Sequence, residues 1–270
     1  MYTTNFEGVV TLSRLEQMKR AGDKIAALTA YDASFARLFD AAGVELVLVG
    51  DSLGNVIQGH GSTLPVSMDD MAYHCRAVAR GLTRALFVAD MPFASYPDRR
   101  TAYRNAARLV AESGAALVKV EGAGPVLESI RYLSERDLPV CAHLGLTPQS
   151  VHALGGYKVQ GKGAEAAERV RQSARAVVAA GARLLVLECV PAPLAEEITR
   201  ELPIPTIGIG AGAGCDGQIL VCYDMLGITP GKRPRFSHDF LAGRGSVAEA
   251  VAAYVGQVKR GEFPAAAHSY

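Results

Sequence analysis

The stretch Leu46-Val47-Leu48-Val49-Gly50-Asp51 is a short apolar run that ends on a glycine and a carboxylate. Five further runs end on a titratable residue or a glycine: residues 86–90, 117–121, 138–143, 184–188 and 206–210. Parallel strands buried on both faces have this composition, and in a closed α/β barrel the residues just past each strand form the active site. The pattern therefore predicts an enzyme whose charged residues meet at one rim.

Helical spacing of apolar residues fills the gaps between these runs. Residues 102–110 and 167–178 each show one apolar stripe that is followed by a glycine. Ser67 with Asp70, and Ser246 with Glu249, have the spacing of a capping box and predict two helix starts. Strand and helix thus alternate along almost the whole chain.

Residues 25–30 and a weaker run, 218–223, bring the number of predicted strands to eight. Alternation of this kind implies parallel strands joined by right-handed crossovers. We therefore predict an α/β fold, a (β/α)8 TIM barrel, in preference to an open sheet. The domain should span residues 1–270, with residues 1–22 as an N-terminal helical extension.

Composition limits the possible partners. The 270 residues are close to the roughly 250 of one such barrel. The 28 Lys and Arg against 27 Asp and Glu leave a formal charge of +1, without the basic excess of a nucleic-acid-binding protein. The five cysteines include no Cys-x-x-Cys pair, and no window reaches the roughly 18 apolar residues of a membrane span. We expect a cytoplasmic protein with reduced thiols that binds neither nucleic acid nor membrane.

Three carboxylates, Asp51, Asp90 and Glu121, end the runs on three consecutive predicted strands. Neighbouring strands lie about 4.8 Å apart, and two charges about 4 Å apart repel by roughly 4 kcal/mol at an effective dielectric near 20. A positive group should therefore lie among them. Oxygen ligands favour Mg²⁺, and the chain has no His/Cys cluster at zinc spacing. Taken singly, each carboxylate is equally consistent with a turn or helix cap.

Lys119 and Glu121 are two residues apart on one predicted strand, so their side chains leave the same face. Three roles stay open for Lys119: a structural ion pair, a cation that holds a substrate carboxylate, or the Schiff-base lysine of an aldolase. A Schiff base needs a desolvated, neutral amine. Because nearby carboxylates and a metal would keep the amine charged, the pattern favours substrate binding over a Schiff base.

Glu188 is followed by Cys189-Val190-Pro191, none of which can neutralise it. Desolvation should favour its protonated form and make it a competent base near neutral pH. We predict Glu188 as the proton acceptor, since a pair with Arg183 at the other end of the same strand is geometrically poor. His143 has four open roles: metal ligand, acid, hydrogen-bond donor to a substrate oxygen, or core histidine.

Two connections, residues 52–65 and 144–163, are much longer than the usual βα loop of about two to six residues. Both follow a strand's carboxyl end, so they should overhang the charged rim, either as lids and binding loops or as surface loops without a role. Residues 208–214 have glycine at every second position but lack the placement of a dinucleotide-binding loop, and we give them little weight.

Seven blocks of sequence are more specific than any motif above. They are VGDSLG (49–54), GH with TLPV (59–60 and 63–66), ADMPF (89–93), VKVEG (118–122), HLGLTPQ (143–149), GGYKVQG (155–161) and LECVP (187–191). These blocks closely resemble the ketopantoate hydroxymethyltransferase family, and the likeness extends from about Leu28 to Pro264.

The resemblance implies transfer of a hydroxymethyl group from 5,10-methylenetetrahydrofolate to 3-methyl-2-oxobutanoate, giving 2-dehydropantoate for pantothenate synthesis. It also implies a homodecamer. By position, it places the family's residues as follows: magnesium on Asp51, Asp90 and Glu121; substrate contacts on Ser52, Lys119 and His143, and on Asp51 and Asp90; and the base on Glu188.

These residues and the resemblance combine in one expected mechanism. A 2-oxo acid would bind Mg²⁺ through its carboxylate and keto oxygens, with Lys119 and Ser52 at the carboxylate end. Glu188 would remove the proton next to the carbonyl, and the enolate would attack the one-carbon unit of a folate held by the two long loops. Three rivals remain: a Mg-dependent 2-oxo acid lyase of the phosphoenolpyruvate-mutase and isocitrate-lyase type, a Schiff-base aldolase, and a non-catalytic binding barrel.

Overall fold

A closed barrel of eight parallel strands forms the centre of the computed structural model, which describes residues 8–229, 231 and 233–270. The strands are β1 (Ile25–Thr29), β2 (Leu46–Val49), β3 (Leu86–Asp90), β4 (Leu117–Glu121), β5 (Val140–Gly145), β6 (Leu184–Glu188), β7 (Thr206–Ile209) and β8 (Gly217–Leu220). They pair in sequence order, and β8 pairs with β1. The predicted barrel is confirmed, because an open sheet would leave two unpaired edges.

Helices surround the barrel. They are α1 (Leu12–Ala21), α2 (Ala33–Ala41), α3 (Leu53–Val56), α4 (Met68–Ala79), α5 (Arg99–Ser113), α6 (Val126–Ser134), α7 (Val151–Leu154), α8 (Ala164–Ala179), α9 (Ala192–Glu201), α10 (Cys222–Met225) and α11 (Val247–Lys259), with 3₁₀ turns at Pro148–Ser150 and Ala266–His268. Of the predicted N-terminal extension, residues 12–21 form α1, and residues 1–7 lie outside the described part. None of the described helices combines the length and apolarity needed to cross a membrane.

Both predicted helix starts are present, with one difference. The Ser67 hydroxyl accepts from the Asp70 N–H, and Asp70 Oδ2 accepts from the Ser67 N–H, which is a complete capping box. Ser246 Oγ likewise accepts from the Glu249 N–H. Glu249, however, accepts from the N–H of Gly245 rather than of Ser246, so only half of the second box forms.

Two strands differ in position from the prediction. The fifth was expected over 138–143 but covers Val140–Gly145. Pro139 has no N–H for the ladder and marks the strand's start, which places His143 inside the strand. The eighth was expected over 218–223 but ends at Leu220, because Cys222 begins a short helix.

Apolar side chains from most of the strands fill the barrel below the charged rim. Leu46, Leu48, Val88, Leu184 and Ile207 border, with Lys119, a residual cavity of about 10 Å³. This space is too small for a ligand, so the interior of the barrel cannot itself be the binding site. All five cysteines are buried and free, as predicted.

Candidate active site

Strand register lines up four charged side chains at the carboxyl end of the barrel. Asp90 of β3 is in register with Lys119 of β4, and Glu121 of β4 with His143 of β5. Lys119 Nζ lies 2.7 Å from Asp90 Oδ2 and 3.6 Å from Glu121 Oε1. His143 Nδ1 lies 3.2 Å from Glu121 Oε1. We call Asp90, Lys119, Glu121 and His143 the charged row; all four are buried.

Asp51 joins this row from the end of β2. Its N–H donates to Asp90 Oδ2 at 3.3 Å, and its own Oδ2 accepts from Gln149 Nε2 at 2.8 Å. The carboxylates of Asp51, Asp90 and Glu121 therefore meet in one place, as the barrel geometry predicts. A buried ammonium, Lys119, lies among them.

Burial and neighbouring charges shift the pKa values of the three carboxylates in different directions. Burial and the neighbouring charge of Asp90 raise the pKa of Asp51 well above its usual value. Burial also raises the pKa of Asp90, although Lys119 opposes this shift. Burial would raise the pKa of Glu121 too, but Lys119 and His143 outweigh it and lower that pKa. The buried site thus disfavours negative charge on Asp51 and Asp90 and favours it on Glu121.

Lys119 is held in its charged form. Burial alone would lower the pKa of its amine, but Asp90, Glu121 and Asp51 outweigh burial and raise this pKa well above the usual value. A protonated ammonium cannot attack a carbonyl, so the geometry disfavours a Schiff base. The structure shows the ion pair with Asp90, and a role in substrate binding stays a prediction.

Glu188 has a partner that sequence neighbours did not reveal. His143 Nε2 lies 3.3 Å from Glu188 Oε2, although this contact does not reach hydrogen-bond geometry. Burial and Lys119 act to lower the pKa of His143, but Glu121 and Glu188 outweigh them and raise this pKa to about 9. With its side chain 14% exposed, Glu188 is more accessible than the charged row. A substrate proton at the rim can therefore reach its carboxylate.

The backbone around Glu188 is closely packed. Gly145 has φ +92°, and a Cβ there would lie 2.1 Å from the Glu188 carbonyl oxygen. That oxygen accepts from the Leu146 N–H at 2.8 Å. On the other side, Cys189 has φ 48°, a conformation that costs a non-glycine residue about 1–3 kcal/mol and is common at functional sites.

Gly145→Ala should destabilise the protein by roughly 1–3 kcal/mol, because the new methyl group meets both an unfavourable φ and the Glu188 carbonyl. Urea unfolding would measure the loss, and proton exchange on a 2-oxo acid would report whether Glu188 has moved. Gly124→Ala is the matched control, since Gly124 has ordinary φ and open space around its Cβ position. Equal stability of the two variants would contradict this reading of Gly145.

The second long connection, residues 144–163, enters the site at two points. Gln149 is buried between Asp51 and Glu121, and the Gln160 N–H donates to the Cys189 carbonyl at 2.9 Å. Between these points Tyr157 is 57% exposed. Burial and the charges of Glu188 and Asp51 raise the pKa of its phenol. This connection therefore overhangs the rim, as predicted.

Ser52 begins the first long connection. Its Oγ lies 2.8 Å from the hydroxyl of Tyr31, so the serine is held beside Asp51 by the end of β1. Three residues of the site were not predicted from the sequence: Tyr31, Gln149 and Tyr96, whose hydroxyl oxygen accepts from the Glu121 N–H at 3.3 Å. Only Gln149 had a usable signal, because it closes the block HLGLTPQ at residues 143–149.

The donor set fits a hard divalent cation. Among residues 8–229, 231 and 233–270, no three His, Cys, Asp or Glu side chains form a ready-made ligand arrangement. Asp51 and Asp90, however, present buried carboxyl oxygens, and a bound cation would favour their ionised form. Glu121 is more engaged, since Oε1 contacts His143 and Oε2 accepts from the Gln149 N–H.

Solved structures with the same fold include 2,3-dimethylmalate lyase, with a TM-score of 0.60 and 18% identity over 81% of this chain and 83% of that one. Another is phosphonopyruvate hydrolase in complex with oxalate and Mg²⁺, with a TM-score of 0.59 and 14% identity over 91% of this chain and 95% of that one. At such identities these likenesses show the fold alone.

Sequence relatives are much closer. This chain is similar to proteins named 3-methyl-2-oxobutanoate hydroxymethyltransferase. The one from Burkholderia multivorans is 58% identical over 97% of this chain and 96% of the relative. A protein of the same name in Thiobacillus denitrificans is 59% identical over 97% of this chain and 99% of the relative. The family described as ketopantoate hydroxymethyltransferase matches residues 9–266. With the barrel and this match over nearly its whole length, the chain belongs to the ketopantoate hydroxymethyltransferase family of enzymes.

Proposed function

We propose that this enzyme transfers a hydroxymethyl group from 5,10-methylenetetrahydrofolate to 3-methyl-2-oxobutanoate, giving 2-dehydropantoate. A new carbon–carbon bond forms at C3 of the keto acid, tetrahydrofolate leaves, and water supplies the hydroxyl oxygen. One observation carries the proposal: the charged row ends beside Glu188, a carboxylate with limited exposure at the mouth of the barrel. The reaction named for relatives near 60% identity supports the same assignment.

Asp51 and Asp90 would hold a Mg²⁺ ion, with Glu121 as the third member of the proposed set. The support is chemical: three buried carboxylates share one lysine, and oxygen donors suit this ion. When bound, the ion would act as a Lewis acid on the substrate carbonyl.

The chain's own residues would perform the remaining steps. Lys119 supplies a permanent positive charge for the keto acid's carboxylate, and the Ser52 hydroxyl can donate to the same group. His143 is positioned to donate toward an oxygen near Glu188. Glu188 takes the C3 proton and retains it while the new bond forms.

Residues 144–163 are our proposed location for the folate. Tyr157 exposes an aromatic ring at the rim, on which a flat pterin can stack. A closed loop would also shield the enolate from water. From the family resemblance, we further propose a cytoplasmic homodecamer.

Chelation and the folate requirement test the proposal together. With Mg²⁺, the enzyme should exchange the C3 proton of 3-methyl-2-oxobutanoate with D₂O, and it should form 2-dehydropantoate only when methylenetetrahydrofolate is added. EDTA should stop both reactions, and added Mg²⁺ should restore them. NMR of the substrate measures exchange and product at once.

Each alternative function predicts a different result in this experiment. A lyase would act without the folate, and a binding barrel would bind the acid without proton exchange. A Schiff-base aldolase would survive EDTA and allow borohydride to trap Lys119 covalently. Any of these outcomes would replace the transferase assignment.

A further inference from the structure

Gln149 uses its backbone N–H and both ends of its carboxamide inside the candidate site. Its backbone N–H donates to Glu121 Oε2 at 3.0 Å. Its carboxamide nitrogen donates to Asp51 Oδ2 at 2.8 Å and to the Met91 carbonyl at 2.9 Å. Its carboxamide oxygen accepts from the Tyr96 hydroxyl at 2.5 Å. The residue is only 7% exposed.

The direction of this carboxamide is determined by its partners. The Tyr96 oxygen accepts from the Glu121 N–H at 3.3 Å, so its single proton is free to go to Gln149 Oε1. On the other side, the Met91 carbonyl can only accept a hydrogen bond, which requires the NH₂ group there. The NH₂ group therefore faces Asp51 without an alternative orientation.

These bonds connect the two outer carboxylates of the cluster through one residue. Asp51 follows β2 and Glu121 ends β4, and they contact Gln149 through its side chain and its backbone, respectively. Gln149 lies in the 3₁₀ turn Pro148–Ser150, at the start of the second long connection. A turn on a connecting segment thus determines how oxygens from two different strands are oriented.

We infer that Gln149 is a positioning residue that orients Asp51 and Glu121 to receive a divalent cation. The inference rests on the proposed function, because that function assigns the two carboxylates to a metal. Gln149 itself contributes no charge and no carboxylate. Its hydrogen bonds fix the orientation of one oxygen of each of these two carboxylates.

Gln149→Met tests the side-chain part of this inference, since methionine retains the length of the side chain and removes the carboxamide hydrogen bonds, while the backbone N–H to Glu121 remains. The probe is Mn²⁺ bound to the substrate-free protein and measured by electron paramagnetic resonance. We expect its dissociation constant to rise at least tenfold. Saturating Mg²⁺ should restore proton exchange to within about threefold of the wild-type rate, whereas damage to the fold would lower exchange at every Mg²⁺ concentration.

Tyr96→Phe is the second variant, because it removes the hydroxyl that donates to the carboxamide oxygen; the same change removes the acceptor of the Glu121 N–H. It should weaken Mn²⁺ binding to a smaller extent, and it keeps the test decisive if Gln149→Met does not fold. Gln172→Met, on the exposed face of α8, should bind Mn²⁺ like the wild type. Unchanged binding in both site variants overturns the inference alone, whereas wild-type protein that binds no Mn²⁺ removes the proposed metal itself.

Discussion

Glu188→Gln is expected to lower exchange of the substrate's C3 proton by roughly 10²–10⁴-fold, the usual contribution of a general base. Glutamine has nearly the same shape but cannot accept the proton. Binding of 3-methyl-2-oxobutanoate should change little, because the proposed contacts to its carboxylate come from Lys119 and Ser52. Exchange measured by NMR and binding measured by calorimetry separate the two effects.

The control for this variant is Glu196→Gln. Glu196 lies on the exposed surface of α9 and carries the same change of charge without approaching the charged row. It should exchange the proton like the wild type. If Glu188→Gln also exchanges at the wild-type rate, another group is the base.

Lys119→Met should destabilise the metal-free protein by about 3–5 kcal/mol, the usual effect of removing one partner from a buried ion pair. The Lys119 side chain is 5% exposed, and both oxygens of Asp90 accept from its ammonium. Without this cation, Asp90 loses its ion-pair partner, and the remaining positive charge, on His143, lies beside Glu121. Urea unfolding at pH 8 in EDTA measures the loss.

The loss of unfolding free energy caused by Lys119→Met should become smaller as the pH falls from 8 towards 6. Burial raises the pKa values of Asp51 and Asp90 even with Lys119 present, and removing the cation raises them further. Carboxyl groups with raised pKa bind protons in the folded state before they do so in the unfolded state. Stability therefore increases as the pH decreases.

Lys19→Met provides the comparison, because Lys19 also forms an ion pair, 2.8 Å from Asp216, but with about 14% of its side chain exposed. Its removal should cost less than that of Lys119, because one carboxylate rather than a cluster of three loses its cation. A Lys119 variant that is no less stable than the Lys19 variant would show that the carboxylates of the site are compensated by something other than this lysine.

Much of the site could be predicted because it depends on one repeated rule. Asp51, Asp90, Glu121 and Glu188 each lie at or just beyond the end of an apolar strand, and a barrel brings all such ends to one rim. The alternation along β4 predicted that Lys119 and Glu121 share a face, and the structure places them 3.6 Å apart. Neither inference needed a contact between distant parts of the chain.

The contacts that could not be predicted join residues that are far apart along the chain or lie on different strands. Gln149 and Asp51 are 98 positions apart along the chain, and although Gln149 closes the block HLGLTPQ, the sequence does not indicate which side chains it contacts. The contact of His143 with Glu188 depends on the position of β5, which begins two residues later than predicted. A partner across two strands cannot be identified until their register is known.

The sequence by itself determined the number of strands, their order, and the carboxylates, lysine and histidine at their ends, because burial imposes composition and period locally. Only the tertiary structure decided how those charges are paired: Lys119 with Asp90, His143 between Glu121 and Glu188, and Gln149 between Asp51 and Glu121. The physical reason is that hydrogen bonds and ion pairs depend on ångström-scale distances. Such distances are established only when the barrel closes and its strands adopt one register.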